Sequence, residues 1–332
     1  MRTFPFSFST SWNFRDSRVG RELMERILGL GFSSVELNYR VTEEMLATIE
    51  PMVEAGRIAV SSVHNVFPAE PDPRFDTDSR LLGYEDEELR LRAVALGKRS
   101  VDWAARLGAK AVVVHPGAIP MDGGGLAGPS GLAGEAYDAR LKELYDAEGP
   151  GSPAFLALRE EFAAYRERAL GGDLERITRS LAEIAEHAAA RHPGIAIGIE
   201  NRPMCHQVPD FRELRRILGG LEGLPAGLWF DTGHGALMRK LGFFDDRAEA
   251  EALAGKLVGV HIHDVAGTSD HVAPYEGEGL DGYLGIIEAA PIKVLELGKK
   301  NSAEAVLRGA EALAARLEAR SAARGRGMEE AR

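Results

Sequence analysis

The stretch Val258-Gly-Val-His-Ile-His-Asp-Val265, continuing through Asp270-His271 to Gly277-Glu-Gly279, decides how the rest of the chain is read. Val258, Val260 and Ile262 are β-formers and Gly267 opens a loop, so the segment reads as a strand that ends in ligand-type residues. Residues two apart in a strand share a face, which points His261 and His263 the same way. Neutral imidazole is the commonest protein ligand for a transition metal, and a nearby carboxylate can hold its other ring nitrogen. Taken alone, the segment fits a buried strand with two hydrogen-bonded core histidines equally well. The balance moves because other strand-like segments end in the same residue types.

Seven further segments have strand character: residues 4–9, 33–38, 58–64, 110–115, 195–200, 227–231 and 292–296. Lys110-Ala-Val-Val-Val-His115 is almost wholly apolar, as expected of a parallel strand covered on both faces. Between the strands run stretches with apolar residues at helical spacing, over 18–30, 42–55, 85–107, 173–190, 211–218, 234–241, 247–254, 283–289 and 302–317. Alternating strands and helices imply βαβ units and a parallel sheet. Eight such units in this length fit a closed (β/α)8 TIM barrel, one domain over residues 1–320. Residues 118–170 are too long for an ordinary strand-to-helix connection and are read as an insertion after the fourth strand. It is Gly-rich over 118–134, then helical with a break at Gly149-Pro-Gly-Ser-Pro153. A lid, an oligomer contact and a tolerated decoration all fit it. Residues 321–332 are small and charged and are expected to fray.

Composition narrows the function classes. The chain has 332 residues, 27% of them charged, and a formal net charge of −11, which repels nucleic acid at long range. Its one cysteine, Cys205, allows no intramolecular disulfide, so a reducing, cytoplasmic setting is expected. No apolar run approaches the ~20 residues of a membrane span, and the N-terminus lacks the apolar core of a signal peptide. A small-molecule partner is expected, no membrane partner, and a homo-oligomer is compatible with the sequence.

The ionisable residues carry the chemistry. His64, His115, Glu200, Asp231, His261 and Glu296 fall at or near the last residue of six strands, with Glu36 similarly placed on the second. In a parallel barrel these ends gather at the C-terminal rim, where barrel active sites lie. Carboxylates converging there repel one another and resist ionisation, and a divalent cation removes that conflict. Carboxylates and imidazoles at ~2.0–2.2 Å suit zinc, and the same mixed set suits manganese, with magnesium or cobalt as further candidates. Each residue has an ordinary role when taken singly: a rim ion pair for Glu200 or Glu296, a turn or cap for Asp231, a core position for His64. Independent roles do not place six such residues at the same point of six units. His187 and His192 read as surface residues, and the role of His206 is open. Gly123-Gly-Gly125 does not join a strand to a helix and forms no dinucleotide fingerprint; there is no nucleophile elbow.

Together, Val35-Glu-Leu-Asn38, Val63-His64, His115-Pro-Gly117, Ile199-Glu-Asn201, Phe230-Asp-Thr-Gly-His234, His261-Ile-His-Asp264, Gly277-Glu-Gly279 and Leu295-Glu296 resemble the xylose isomerase-like TIM-barrel superfamily. That superfamily holds sugar-phosphate isomerases and epimerases and the endonuclease IV branch. The resemblance implies a metal site on Glu200, Asp231, His261 and Glu296, with Glu200 and Glu296 also transferring protons. It implies that His234 holds substrate oxygens, with Glu36 and His271 beside it, and that Asp264 and His263 support the ligands from behind. His64 and His115 match ligands of an additional metal in the nuclease branch. That branch also carries an Asp-x-His before its Gly-Glu-Gly segment, whereas Asp270 and His271 are adjacent here. The leading expectation is a divalent-metal-dependent isomerase or epimerase of a small sugar or hydroxy-carbonyl compound, working through an enediolate. The rivals are an endonuclease IV-like phosphodiester hydrolase and a non-catalytic sugar-binding member of the fold.

Overall fold

A computed structural model of the chain describes residues 3–119, 130–132 and 134–330. The triplet Gly123–Gly125 and most of the Gly-rich part of the insertion lie outside those residues. Eight parallel strands close into a barrel: β1 Ser7–Ser9, β2 Ser34–Leu37, β3 Ala59–His64, β4 Ala111–Val114, β5 Ala196–Glu200, β6 Ala226–Asp231, β7 Leu257–Ile262 and β8 Ile292–Leu295. Each strand pairs with the next in sequence, and β1 closes the ring against β8. The register sets Asp231 beside His261 and His261 beside Val294, so the site residues begin at matching heights.

The two faces of the strands differ. Val35, Leu37, Val63, Val112, Val114, Ile197, Ile199, Leu228, Phe230, Val260, Ile262 and Leu295 belong to the large buried core. Their alternation partners point inward. Directly beneath the rim, two residues before Glu296, Asp231 and His115, lie Val294, Trp229 and Val113, which with Ala111 form a separate small apolar cluster. Trp229 fills the barrel axis because β5 and β7 give way to it. A Cβ on Gly198 would meet its ring at 2.8 Å, and one on Gly259 at 2.3 Å.

Around the barrel run α1 Gly20–Gly29, α2 Glu43–Glu54, α3 Glu87–Arg106, α4 Gly134–Glu148, α5 Pro153–Leu170, α6 Asp173–Arg191, α7 Phe211–Gly220, α8 Thr232–Lys240, α9 Asp246–Ala252, α10 Leu284–Ala289 and α11 Ala303–Glu330. Local chemistry starts several of them. Thr42 caps α2 through the Met45 amide, Asp86 caps α3, and Asp210 and Glu213 form a reciprocal capping box on α7. Among the described residues, no helix is long and apolar enough to cross a membrane.

The insertion supplies α4 and α5. Arg166 of α5 ion-pairs with Glu213 at 2.5 Å and donates to the carbonyls of Cys205 and Gln207, and Thr268 donates to Asp146 of α4 at 2.7 Å. The inserted helices thus rest on the loops that follow β5 and β7. Two expectations need correction. The last helix is longer than its apolar stripe over 302–317: α11 passes Leu317 and runs to Glu330, since Ala, Arg and Glu propagate a helix and no proline stops it. The strand read through Val265 ends at Ile262. Residues 264–266 turn away to pair with 269–272 in a short antiparallel ribbon that carries Asp270 and His271.

Candidate active site

At the C-terminal rim the strand ends converge as expected. Glu200, Asp231, His261 and Glu296 each offer a ligand atom, and the four atoms lie within 4.8 Å of one another. All four residues are buried. His261 is the hub. Its Nδ1 is 3.0 Å from Glu200 Oε1, 3.1 Å from Glu296 Oε2 and 3.7 Å from Asp231 Oδ2, while Nε2 is 2.9 Å from Glu36 Oε1. Burial alone would lower the basicity of this imidazole, but Glu296, Glu36 and Glu200 outweigh it and hold its pKa well above the ordinary value. Burial pushes the Glu296 carboxyl up to about 7; His261 opposes that, and Glu200, Glu36 and Asp231 add to it. Asp231 resists burial and stays near about 2 through His234 and His263. A proton on His261 therefore compensates the crowded carboxylates from the centre, with His263 beside Asp231 and Arg202 beside Glu200 adding to it from the sides. Three carboxylates and an imidazole within this reach suit a divalent ion, which is the test the donor set passes.

Asp231 is positioned twice over. Its Oδ1 accepts from the His234 amide at 2.8 Å, capping α8, and its backbone N–H donates to Asn201 Oδ1 at 2.8 Å. Asn201 Nδ2 returns a bond to the Asp231 carbonyl at 3.0 Å, tying the ends of β5 and β6 together. Gly233 is obligatory at the start of α8, because a Cβ there would fall 2.0 Å from the His263 ring.

The remaining expected residues divide into groups. Glu36 is fully buried, accepts from Ser62 at 2.8 Å and faces His261, placing it behind the four candidate ligands and away from the cavity. His263 was expected to point with His261. With the strand already ended, its Nε2 donates to Asp231 at 2.8 Å and its Nδ1 accepts from the His271 amide at 2.9 Å. Asp264, expected behind the ligands, directs its carboxylate instead to the amides of Val265, Gly277, Glu278 and Gly279, so it shapes the Gly-Glu-Gly loop. His234 Nδ1 donates to the Asn201 carbonyl at 3.1 Å and His271 Nδ1 to the Glu296 carbonyl at 3.2 Å. A carbonyl only accepts, so both rings keep the proton on Nδ1 and present Nε2 as a lone pair. His234 Nε2 is buried without a partner.

His64 and His115 form a second group with Glu200, again within 4.8 Å. His64 Nε2 is 3.6 Å from Glu200 Oε2, and burial with His115 nearby pushes its pKa down to about 3. His115 Nε2 is 2.5 Å from the same oxygen, and its Nδ1 is 3.2 Å from Asp78. Two residues here escaped the sequence reading. Arg202, 6% exposed, donates to Glu200 Oε2 at 3.1 Å and to Asp78 at 2.8 Å, and its guanidinium lies against His115 Nε2. Asp78 gathers Arg202, His115 and Gln207. Arg202 stands two residues after Glu200, a spacing that could have flagged it; Asp78 sits in an aperiodic loop with no such signal. His187 and His192 share Asp102 on the outer helices, as surface residues should, and His206 lies outside the ligand groups with its pKa pushed down to about 4 by burial.

Above the rim opens a cavity of about 430 Å³. Glu296, His234, His271, His64, His115 and Arg202 line it, with Trp12, Tyr39 and Lys299 among the residues nearer its mouth. That volume lies in the range of small-molecule sites.

Several solved structures share the fold at low sequence identity. A 3-keto-D-glucoside 4-epimerase, YcjR from E. coli, superposes with a TM-score of 0.62 at 17% identity, over 94% of this chain and 99% of its own. An L-ribulose 3-epimerase, its source organism unstated, gives 0.63 at 14% identity over 100% and 99%. A D-allulose 3-epimerase from Methylomonas sp., in complex with D-allulose, gives 0.54 at 14% over 92% and 91%. At these identities the likeness establishes the fold. No curated protein matches the sequence significantly. The family model of the xylose isomerase-like TIM barrel matches residues 24–316, which spans every candidate residue described above. The chain belongs to the xylose isomerase-like TIM-barrel family.

Proposed function

We propose that the protein is a divalent-metal-dependent isomerase or epimerase of a small sugar or a related hydroxy-carbonyl compound. The observation that carries this reading is the convergence of Glu200, Asp231, His261 and Glu296 within 4.8 Å of one another, with Glu296 lining a cavity sized for one small molecule. Epimerases of keto-sugars among the structures of matching fold support the same class here.

A divalent cation on those four residues would supply Lewis acidity, polarising the substrate carbonyl and acidifying the adjacent C–H. Glu296 faces the cavity, so its carboxylate accepts that proton. Glu200 takes the proton of the neighbouring substrate hydroxyl and returns it to the carbon, with an enediolate form of the substrate between, and Glu296 gives its proton to the oxygen left behind. His234 and His271 accept hydrogen bonds from substrate hydroxyls at Nε2, which fixes the sugar's orientation before proton transfer. Burial of the carboxylates keeps bulk water from competing for the proton.

The test is α-proton exchange. The metal-loaded protein is incubated in deuterated water with a panel of ketohexoses, ketopentoses and 3-keto-glycosides, and the C–H signals adjacent to the carbonyl are followed by NMR. Deuterium incorporation that requires Glu296 is the expected result. Sugar binding without exchange across the panel would sink the catalytic reading in favour of a binding protein. One observation favours the hydrolase: His64, His115 and Glu200 form a second ligand-type group beside the first. Metal-dependent scission of duplex DNA at an abasic position would promote that reading over ours.

A further inference from the structure

Glu200 divides its two oxygens between two environments. Oε1 faces the four-residue set, 3.0 Å from His261 Nδ1 and 3.4 Å from His234 Nδ1. Oε2 faces the other way, toward His115 at 2.5 Å, His64 at 3.6 Å and Arg202 at 3.1 Å. A second ion on His64, His115 and Glu200 would need Oε2 and the Nε2 atom of His115. The Arg202 guanidinium contacts both. It is held there: the Arg202 side chain is 5% exposed, and its second nitrogen donates to Asp78 at 2.8 Å. A guanidinium has no lone pair to offer a metal, so it blocks the place without becoming a ligand.

We propose that Arg202 is a resident cation standing where a second metal would bind, so that this chain's centre carries a single divalent ion. The inference rests on the proposed metal site and goes beyond it in assigning why His64 and His115, although at ligand distance, leave the site mononuclear. Arg202 is thus a positioning residue: it neutralises the second oxygen of Glu200 and leaves the first for the ion. Removing its charge while keeping a polar side chain frees a site on His64, His115 and Glu200 Oε2 that shares Glu200 with the first.

The experiment counts metal. Purified protein is stripped with chelator, reloaded with manganese(II), passed through a desalting column and assayed by elemental analysis and electron paramagnetic resonance. The wild type should hold one equivalent with the spectrum of an isolated ion. Arg202→Gln should hold two, with the exchange-coupled signal of ions bridged by one carboxylate, and Arg202→Gln combined with His115→Gln should return to one. The bridged signal separates this outcome from an ion caught at the surface histidines His187 and His192. A folded Arg202→Gln protein, judged by circular dichroism, that still holds one ion would overturn the proposal while leaving the proposed function untouched. So would a wild type that holds a coupled pair. A wild type with no retained metal would defeat the proposed function and this inference with it. Should Arg202→Gln fail to fold, Arg202→Met carries the same prediction.

Discussion

Two layers of the same barrel interior stand one above the other and obey opposite rules. The ring of Trp229 lies 5.1 Å from that of His261, centroid to centroid, and the strands that carry the two pair directly. Below, Trp229, Val113, Ala111 and Val294 make an apolar plug whose stability comes from removing surface from water. Above, Glu36, Glu200, Asp231, His261 and Glu296 are equally buried but gather like charges, a configuration that costs stability unless a cation is supplied. The lower layer is there to hold the upper one in register. The difference teaches that burial in this barrel has two consequences: packing in one layer, and in the next the desolvation that raises the pKa of Glu296.

The comparison breaks most visibly at the plug. Trp229→Ala removes the largest inward side chain and should cost about 3–5 kcal/mol in chemical denaturation. Activity per folded molecule should fall as well, since His261 loses the ring beneath it. A loss under ~1 kcal/mol, no more than a volume-conserving apolar swap costs, would mean the plug is not what holds the rim.

The polar layer should behave in the opposite sense. Glu296→Gln is expected to reduce proton exchange by about 10²- to 10⁴-fold, the usual contribution of a positioned acid or base. The same change should make the metal-free protein more stable. Glu296 titrates at about 7 in the fold against 4.5 for the free group, so the folded state is penalised once pH rises above the unfolded value. The gain in Tm for the glutamine variant should be absent below pH 4.5, grow as pH rises toward 7 and hold steady above it. A Tm gain that is independent of pH would show that charge crowding is not its cause.

Supplying the cation sharpens the contrast further. Metal at a hundredfold excess over its Kd should stabilise the wild type by about 2.7 kcal/mol, by mass action on the folded state alone. Chelation should reverse that and abolish exchange while leaving the far-ultraviolet circular dichroism unchanged. Metal-independent exchange would remove the cation from the reaction.

The smallest expected effect lies behind the ligands. Asn201→Ala leaves the Asp231 amide unpaired and should cost about 1–3 kcal/mol. Metal affinity should fall about 10- to 100-fold, as when an orienting partner of a ligand is lost. Unchanged affinity in a titration of the variant would assign Asn201 a purely structural part.

Much of this was legible in the residues. The ends of six strands are marked by a change from apolar residues to an acid or imidazole, and the structure brings Glu200, Asp231, His261 and Glu296 together there. The helix start at Thr42 was also readable from its chemistry. His263 lies one residue past Ile262, where pairing stops, and still donates to Asp231. The extent of the last helix over 318–330 was not legible because its propagation depends on propensity rather than on an apolar stripe. Arg202 and Asp78 were missed because both lie in loops, where position in the chain says nothing about direction.

The sequence by itself determined the eightfold alternation, the depth at which each ionisable group sits and the family. A strand's pleat and length fix height and face, and those are local properties. The tertiary structure alone decided who meets whom across the barrel: that Glu36 faces His261, 225 residues away, and that an arginine takes the second oxygen of Glu200. Closure of the ring and the return of the loops set those distances, and no local pattern encodes either.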